Sequence, residues 1–128
     1  MLLSGKIYLT TIYRLKKEGG RVRSVEVARH LGYTKPSVSR AVSSFAKEGY
    51  LTVEKGGILT LTPKGEKLAR SIADRQDLIA EFLSMTCSVD QKEVLPEAVA
   101  MEECMKKETF EGMKDFVDQV KKMREGNG

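Results

Sequence analysis

The segment from Thr34 to Arg40 combines small hydroxyl side chains with cations at a spacing that suits a nucleic-acid surface. The side chains concerned are Thr34, Lys35, Ser37, Ser39 and Arg40. A guanidinium can bind guanine or pin a phosphate, an ammonium pairs with phosphate as a point charge, and hydroxyls bond base edges or phosphate oxygens. Small side chains on the first turns of a helix let its backbone approach the bases. The chemistry predicted here is recognition of double-stranded DNA.

Three further cations could contact the DNA backbone, namely Arg29, Lys64 and, at a predicted hairpin tip, Lys55. Each candidate also has a simpler interpretation. Thr34 and Ser37 could serve only as helix caps, because hydroxyl side chains favour that position. Lys55 could be an ordinary solvated turn residue, and Arg40 a solvated surface charge. The hypothesis therefore depends on the combination of these side chains.

Helix, turn, helix and hairpin patterns surround this segment and would position it. Apolar spacing predicts helices over Ser4–Glu18 and Ser24–Leu31, with Ser24 as a cap and Gly32 ending the second helix at positive φ. A third helix is predicted to start near Thr34 or Lys35, since Pro36 is tolerated in a first turn, and to end around Lys47. Two strands follow, and Lys55-Gly56-Gly57 between them indicates a hairpin. The predicted ranges of the strands are Tyr50–Glu54 and Ile58–Thr62.

Helical patterns continue through the rest of the chain. Thr62-Pro63 is expected to cap a long helix over about 63–85, followed by helices over about Gln91–Lys106 and Glu108–Arg124. The fold class predicted is mainly α: a winged helix-turn-helix N-terminal domain with a two-stranded wing, followed by an all-helical dimerisation domain. No nucleophile–base pair, phosphate-cradling glycine loop or carboxylate pair has recognisable spacing, so no enzyme is predicted.

The charge of the chain is divided along its length. Residues 1–75 hold 15 Lys/Arg and 6 Asp/Glu, a net of +9, whereas residues 76–128 hold 7 and 12, a net of −5. A basic half favours a polyanionic partner, because each phosphate neutralised releases counterions. We expect a DNA-binding domain over 1–75, and a dimerisation or effector domain over 76–128. With no long apolar run or secretory leader, we also expect a cytoplasmic protein with two free thiols, Cys87 and Cys104.

Several longer stretches resemble the diphtheria-toxin-repressor family, and within it the short manganese-transport-regulator branch. They are YLTTIYRL, VARHLGYTKPSVSRAV, GYLTVEKGGILTLTPKGEKLA and EFLSMTCSVDQKEVLPEAVAMEE. We expect the short architecture of that branch, without a third, SH3-like domain. The resemblance implies a winged-helix domain, a helical domain that forms the dimer interface, and a homodimer that represses transcription from a palindromic operator. It also implies activation by manganese or iron.

The positions that the resemblance assigns to metal ligands carry unsuitable side chains. In this sequence they are Ile7, Thr10, Gln76, Val99 and Glu103, and only Glu102 keeps a ligand residue. At the family's second metal position stand Ala80 and Leu95. Tight sites for transition metals use imidazole or thiolate, so we expect no metal cofactor, and manganese or iron remains implied by the resemblance alone. The sole histidine, His30, lies near the DNA-reading segment and is expected to be structural or exposed.

Alternatives to a metal-independent repressor remain open. A metal site could be rearranged around Glu102, Glu103 and Cys104, with Asp77, although neighbouring residues on a helix point in different directions. Cys104 could act as a redox switch. The chain could be a MarR-like sensor whose small-molecule pocket includes Ile7, Thr10 and Gln76, or a protein-interaction module, because fold alone does not fix function.

Overall fold

Six helices and one short antiparallel sheet form the part of the chain that the computed structural model describes, the backbone of residues 3–127 with the side chains of residues 5–126. In chain order the elements are α1 (Leu3–Lys17), α2 (Ser24–Leu31), α3 (Lys35–Lys47), β1 (Leu51–Val53), β2 (Leu59–Leu61), α4 (Pro63–Cys87), α5 (Gln91–Cys104) and α6 (Lys107–Asn127). The predicted mainly α fold with a winged helix-turn-helix is confirmed. The chain divides into two compact units between Ser71 and Ile72, within α4.

The first unit has a core to which each of its helices and strands contributes. Its fully buried side chains include Leu9 and Ile12 of α1, Val27 of α2, Val38 of α3, Leu51 of β1 and Leu59 of β2. Tyr8 of α1 adds aromatic contacts, with its ring centroid 5.7 Å from that of Tyr33 and 5.9 Å from that of Phe45. Because α3 packs through Val38 and Phe45, its opposite face is left to solvent.

The start of α2 differs from the prediction. Arg23, with extended backbone, occupies the N-cap position, and its amide donates to the Glu26 carboxylate at 3.0 Å. Ser24, predicted as the cap, is instead the first helical residue. The reason is tertiary: Arg23 forms an antiparallel bridge with Ile58, and the Leu59 amide donates to the Val22 carbonyl at 2.7 Å. These contacts hold Arg23 in an extended conformation at the N-cap position, so the helix begins at Ser24, one residue earlier than a Ser24 cap would place it.

The predicted hairpin forms the wing. Thr52 pairs with Thr60 in the centre of the β1–β2 ladder. At the tip, the Gly57 amide donates to the Glu54 carbonyl at 3.0 Å. Gly56, at the third position of this turn, has φ of 83°, which favours glycine. This turn chemistry explains why the Lys-Gly-Gly sequence predicted the hairpin correctly.

Helix α4 begins against the chain that precedes β1. The Thr62 hydroxyl accepts from the Gly65 amide at 3.1 Å and donates to the Gly49 carbonyl at 2.6 Å, which confirms the predicted cap. Gly65 lies directly over the Tyr50 carbonyl, so a Cβ there would overlap that oxygen. The helix ends two residues later than expected, where Ser88 adopts a left-handed φ of 56°.

The second unit has its own small core, in which α4 and α5 supply Ile79, Ala80, Val94 and Ala98. Helix α6 also packs in this unit. Its Val117 is buried, and its Phe116 makes an edge-on contact with Phe82 of α4 at 5.8 Å between ring centroids. None of the helices in the described part of the chain is both long and apolar enough to cross a membrane.

Candidate nucleic-acid interface

Two local features set the start of α3 after the turn. Gly32 takes φ of 71° and ψ of 27°, a left-handed conformation that glycine adopts without strain and that ends α2. Thr34 then caps α3 by accepting from the Ser37 amide at 3.3 Å, and Pro36 occupies the first turn, where its missing amide costs nothing. The predicted turn geometry is confirmed.

The solvent face of α3 carries only small hydroxyls and cations along its middle and last turns. Ser39, Arg40, Ser43, Ser44 and Lys47 line an open groove of about 360 Å³. These residues recur at steps of three and four, so they share one helix face. A face with short side chains between two long cations can lie close to a phosphate backbone while the cations reach outwards or into a groove.

Thr34 and Ser37 are bonded to each other. The Thr34 hydroxyl donates to the Ser37 hydroxyl at 2.9 Å in addition to capping the helix. The interpretation of Thr34 as a cap is thus confirmed, and its hydroxyl hydrogen is already engaged. The Ser37 hydroxyl keeps its own hydrogen, which it can donate to a phosphate or base acceptor.

Two of the predicted cations outside α3, Arg29 and Lys55, are exposed on different elements. Arg29 is exposed on the last turn of α2, next to the exposed His30. Lys55 is exposed at the second position of the wing turn. Arg23 anchors that turn, because its Nε donates to the Gly56 carbonyl at 3.0 Å.

Lys64 has a structural role in this fold. Its Nζ donates to the Glu48 carbonyl at 2.9 Å and lies 4.4 Å from the centroid of the Tyr50 ring. The ammonium therefore satisfies a carbonyl at the end of α3 and stacks on an aromatic ring. Its contact with the DNA backbone stays a prediction, because the exposed ammonium has further hydrogens to donate.

Four residues of the candidate interface were not predicted from the sequence: Ser43, Ser44, Lys47 and Arg23. Helical periodicity could have found the first three, since they repeat the spacing of Ser39 and Arg40 one turn further along. No local signal points to Arg23, because its partner is 33 positions away in the sequence.

The residues at the family's metal positions do not form a donor set for a transition metal. Thr10 is buried, and its hydroxyl donates to the Lys6 carbonyl of its own helix at 2.8 Å. Gln76 is also buried, while Ile7 and Val99 offer only hydrocarbon and are partly buried. Among residues 3–127, no group of three or more His, Cys, Asp or Glu side chains could hold a metal ion.

The side chains that could form a rearranged metal site do not share one environment. Glu102 is buried, whereas Glu103 and Cys104 are exposed on the same helix. Asp77 is exposed on α4, and its backbone carbonyl accepts from the Gln91 amide nitrogen at 3.4 Å. The Glu102 carboxylate is bound by a protein cation, with Nη2 of Arg75 at 3.2 Å and Nε at 3.4 Å from Oε2. The residues present therefore do not fit the metal that the resemblance implies.

Two family models together match nearly the whole chain. Residues 4–58 match the model described as iron dependent repressor, N-terminal DNA binding domain. Residues 62–127 match the model described as iron dependent repressor, metal binding and dimerisation domain.

Individual relatives agree with these models. The HTH-type transcriptional regulator MntR of Lysinibacillus sphaericus is 33% identical over 110 residues, which cover 86% of this chain and 78% of that protein. The diphtheria toxin repressor of Corynebacterium glutamicum is 29% identical over 122 residues, or 95% of this chain, but this chain spans only 54% of its length. The solved structure of the manganese regulator SloR aligns with a TM-score of 0.74 and 25% identity over 89% of this chain and 53% of that one. The chain belongs to the iron-dependent repressor family, as its resemblance to diphtheria-toxin and manganese-transport regulators predicted.

Proposed function

We propose that this protein is a homodimeric, DNA-binding transcriptional repressor that reads its operator with α3 and does so without a bound metal. The exposed face of α3, with its small hydroxyls between Arg40 and Lys47, is the observation that carries the proposal. Family membership supports the same function, since relatives are named transcriptional regulators and repressors.

The proposed contacts divide by the chemistry they offer. Arg40 would read a base edge, and Ser39 and Ser43 would let the helix backbone enter the major groove. Phosphate contacts would come from a larger set: Lys35, Ser37, Ser44, Lys47, Arg29 and Lys55. Thr34 would act mainly as the cap that fixes the helix, and Arg23 as the anchor of the wing.

The second family model supports homodimerisation through the helical half of the chain. A two-fold symmetric dimer presents two copies of α3, so its operator would be palindromic, with half-sites about one helical turn of DNA apart or a multiple of it. We place the functional division near residue 75, the protein in the cytoplasm with the DNA it binds, and no catalytic activity in it.

Selection of bound duplexes from a random library by the full-length protein tests the proposal. The expected result is enrichment of one palindromic sequence in buffer that contains a chelator. Absence of any enriched sequence, with or without manganese and iron, would contradict it. A chain with Arg40→Ala and Lys47→Ala together is the matched control, because both side chains are exposed and their removal leaves the core intact.

A further inference from the structure

We propose that the guanidinium of Arg75 serves as a built-in cation that holds the one retained ligand carboxylate, Glu102, and so replaces the activating metal of the family. The inference rests on the proposed DNA-binding function and adds what stabilises the helical unit in its active form. Both residues belong to the second unit, with Arg75 on α4 and Glu102 on α5.

The geometry of the pair is that of a charge-assisted interaction between a buried carboxylate and a partly exposed guanidinium. Nη2 and Nε of Arg75 lie 3.2 Å and 3.4 Å from the same oxygen, Oε2 of Glu102. The Glu102 side chain is only 4% exposed, whereas that of Arg75 is 36% exposed. The carboxylate is thus withdrawn from water, and the guanidinium covers it from the solvent side.

Because the Glu102 carboxylate is buried, it needs a positive charge close to it. An ionised carboxylate away from water is strongly disfavoured unless a cation and hydrogen bonds compensate it. In a metalloregulator a divalent ion can supply that charge, and its binding free energy stabilises the arrangement of the helices that carry the ligands. Here Arg75 supplies the charge, and a guanidinium stays protonated at any physiological pH and cannot be removed by a chelator.

The same arrangement disfavours a metal ion at Glu102. A divalent cation on the carboxylate would lie within a few ångströms of the guanidinium, and like charges at that distance repel strongly in a buried setting. The neighbouring positions do not offset this repulsion, because Gln76 is neutral and Glu103 is exposed. The resident cation therefore disfavours a second one, and the ion pair links α4 to α5 without a metal.

The first arm of the test uses the wild-type protein alone. Operator affinity and the midpoint of thermal unfolding are measured in EDTA, in excess Mn²⁺ and, without oxygen, in excess Fe²⁺. We expect the dissociation constant to change by less than about twofold and the midpoint to stay constant, since a ligand stabilises a fold only by binding it. A rise in midpoint together with tighter operator binding in either metal would overturn the inference.

The second arm removes the cation. Arg75→Gln should lower the unfolding midpoint by roughly 5 °C or more, because the buried Glu102 loses its partner, and should weaken operator binding in every metal condition. Arg75→Lys should give an intermediate result, since it restores the charge without the guanidinium fork. Lys114→Gln is the matched control for charge: Lys114 lies in the same unit, in an exposed pair with Asp118 at 3.2 Å. Equal behaviour of Arg75→Gln and Lys114→Gln would overturn the inference.

A third variant keeps the test decisive if Arg75→Gln folds poorly. Arg75→Met combined with Glu102→Met removes both charges, so it should unfold at a higher temperature than Arg75→Met alone. If the double variant is no more stable than the single one, the pair is not what compensates Glu102, and the inference fails. Failure of wild-type protein to bind any operator would instead refute the proposed function, so the two failures are distinguishable.

Discussion

At the scale of single residues, specificity is concentrated in Arg40. It is the only arginine of α3, and its neighbours on the exposed face are short serines that leave it room to reach a base edge. A guanidinium can form two hydrogen bonds with guanine, and alanine can form none.

Arg40→Ala should therefore weaken binding to the selected operator by about 1–3 kcal/mol while affecting unrelated duplexes less. Fluorescence anisotropy with the operator and a scrambled duplex measures both effects. Lys47→Ala, on the same face two turns further along, is the control that should weaken both duplexes alike. If Arg40→Ala lowers the affinity for both duplexes equally, Arg40 contacts a phosphate and does not read a base.

Lys121 supports a second prediction at this scale. Its Nζ lies 2.8 Å from Oε1 of Glu81, so the ion pair links α6 to α4. The hydrogen bond and charge of Glu81 raise the pKa of Lys121 above its ordinary value of 10.5. A raised pKa means that the folded state holds the proton more tightly, so the stabilisation is present below pH 10.5 and disappears as pH rises through the higher folded value.

Lys121→Met should therefore melt at a lower temperature than wild type at neutral and mildly alkaline pH, and the difference should shrink above pH 10.5. Since Lys121 is half exposed, the effect should be small. Lys122→Met, on the neighbouring exposed position, should show no such pH-dependent difference. Melting curves by circular dichroism across this pH range provide the measurement, and a difference that persists at the highest pH would contradict the assignment.

At the scale of elements, Gly65 determines how closely the start of α4 approaches the end of the helix-turn-helix. The Tyr50 carbonyl occupies the space that a Cβ would need, and this carbonyl also accepts from the Thr62 amide at 3.1 Å. The side chains of Thr62 and Lys64 bond the same region, to the carbonyls of Gly49 and Glu48. The wing, α3 and α4 are thus tied together over a few residues.

Gly65→Ala should destabilise the protein by roughly 1–3 kcal/mol, because the backbone of α4 must move away from Tyr50. Gly112→Ala is the matched control in α6, where nothing lies within 4 Å of the added Cβ. It should stabilise by about 0.5–1 kcal/mol, since glycine inside a helix costs conformational entropy. Chemical denaturation of both variants distinguishes them, and similar shifts in the two would show that Gly65 has no special contact.

At the scale of the whole molecule, the uneven distribution of charge along the chain determines how strongly DNA binding should depend on salt concentration. Residues 1–75 carry a net +9 and residues 76–128 a net −5. The affinity of such a protein falls steeply with salt, with a slope in log–log form of about −0.9 for each phosphate neutralised. The magnitude of the slope therefore indicates how many protein cations contact phosphates of the DNA backbone.

Lys35→Ala should reduce the magnitude of that slope by about 1, because one phosphate of the operator is no longer neutralised. Asp115→Asn, which also changes one exposed charge but lies on α6, should leave the slope unchanged. Operator titrations at several salt concentrations give both slopes. Because Lys35→Ala lowers the net charge by one and Asp115→Asn raises it by one, slope changes of similar size and opposite sign would mean that net charge, and not a local contact, governs binding.

Much of the fold followed from local signals. Lys55-Gly56-Gly57 predicted the wing, Gly32 the end of α2, and Thr62-Pro63 the start of α4, because turn and cap preferences act within a few residues. The replacement of the family's metal ligands stays a prediction, which depends on residue type alone. The cap of α2 was predicted wrongly at Ser24, because the bridge to Ile58 holds Arg23 in an extended conformation at the N-cap position and the helix begins directly after it.

The sequence by itself determined the chemistry available on α3 and the absence of imidazole and thiolate from the metal positions. Only the tertiary structure decided which charges are engaged: Lys64 with Glu48, 16 positions apart; Arg75 with Glu102, 27 apart; and Arg23 with Gly56, 33 apart. Partners at such separations are selected by how helices and strands pack, which no local preference encodes. For that reason the sequence identified a regulator in which most positions of its family's metal ligands carry other side chains, and the fold placed Arg75 against the remaining carboxylate, Glu102.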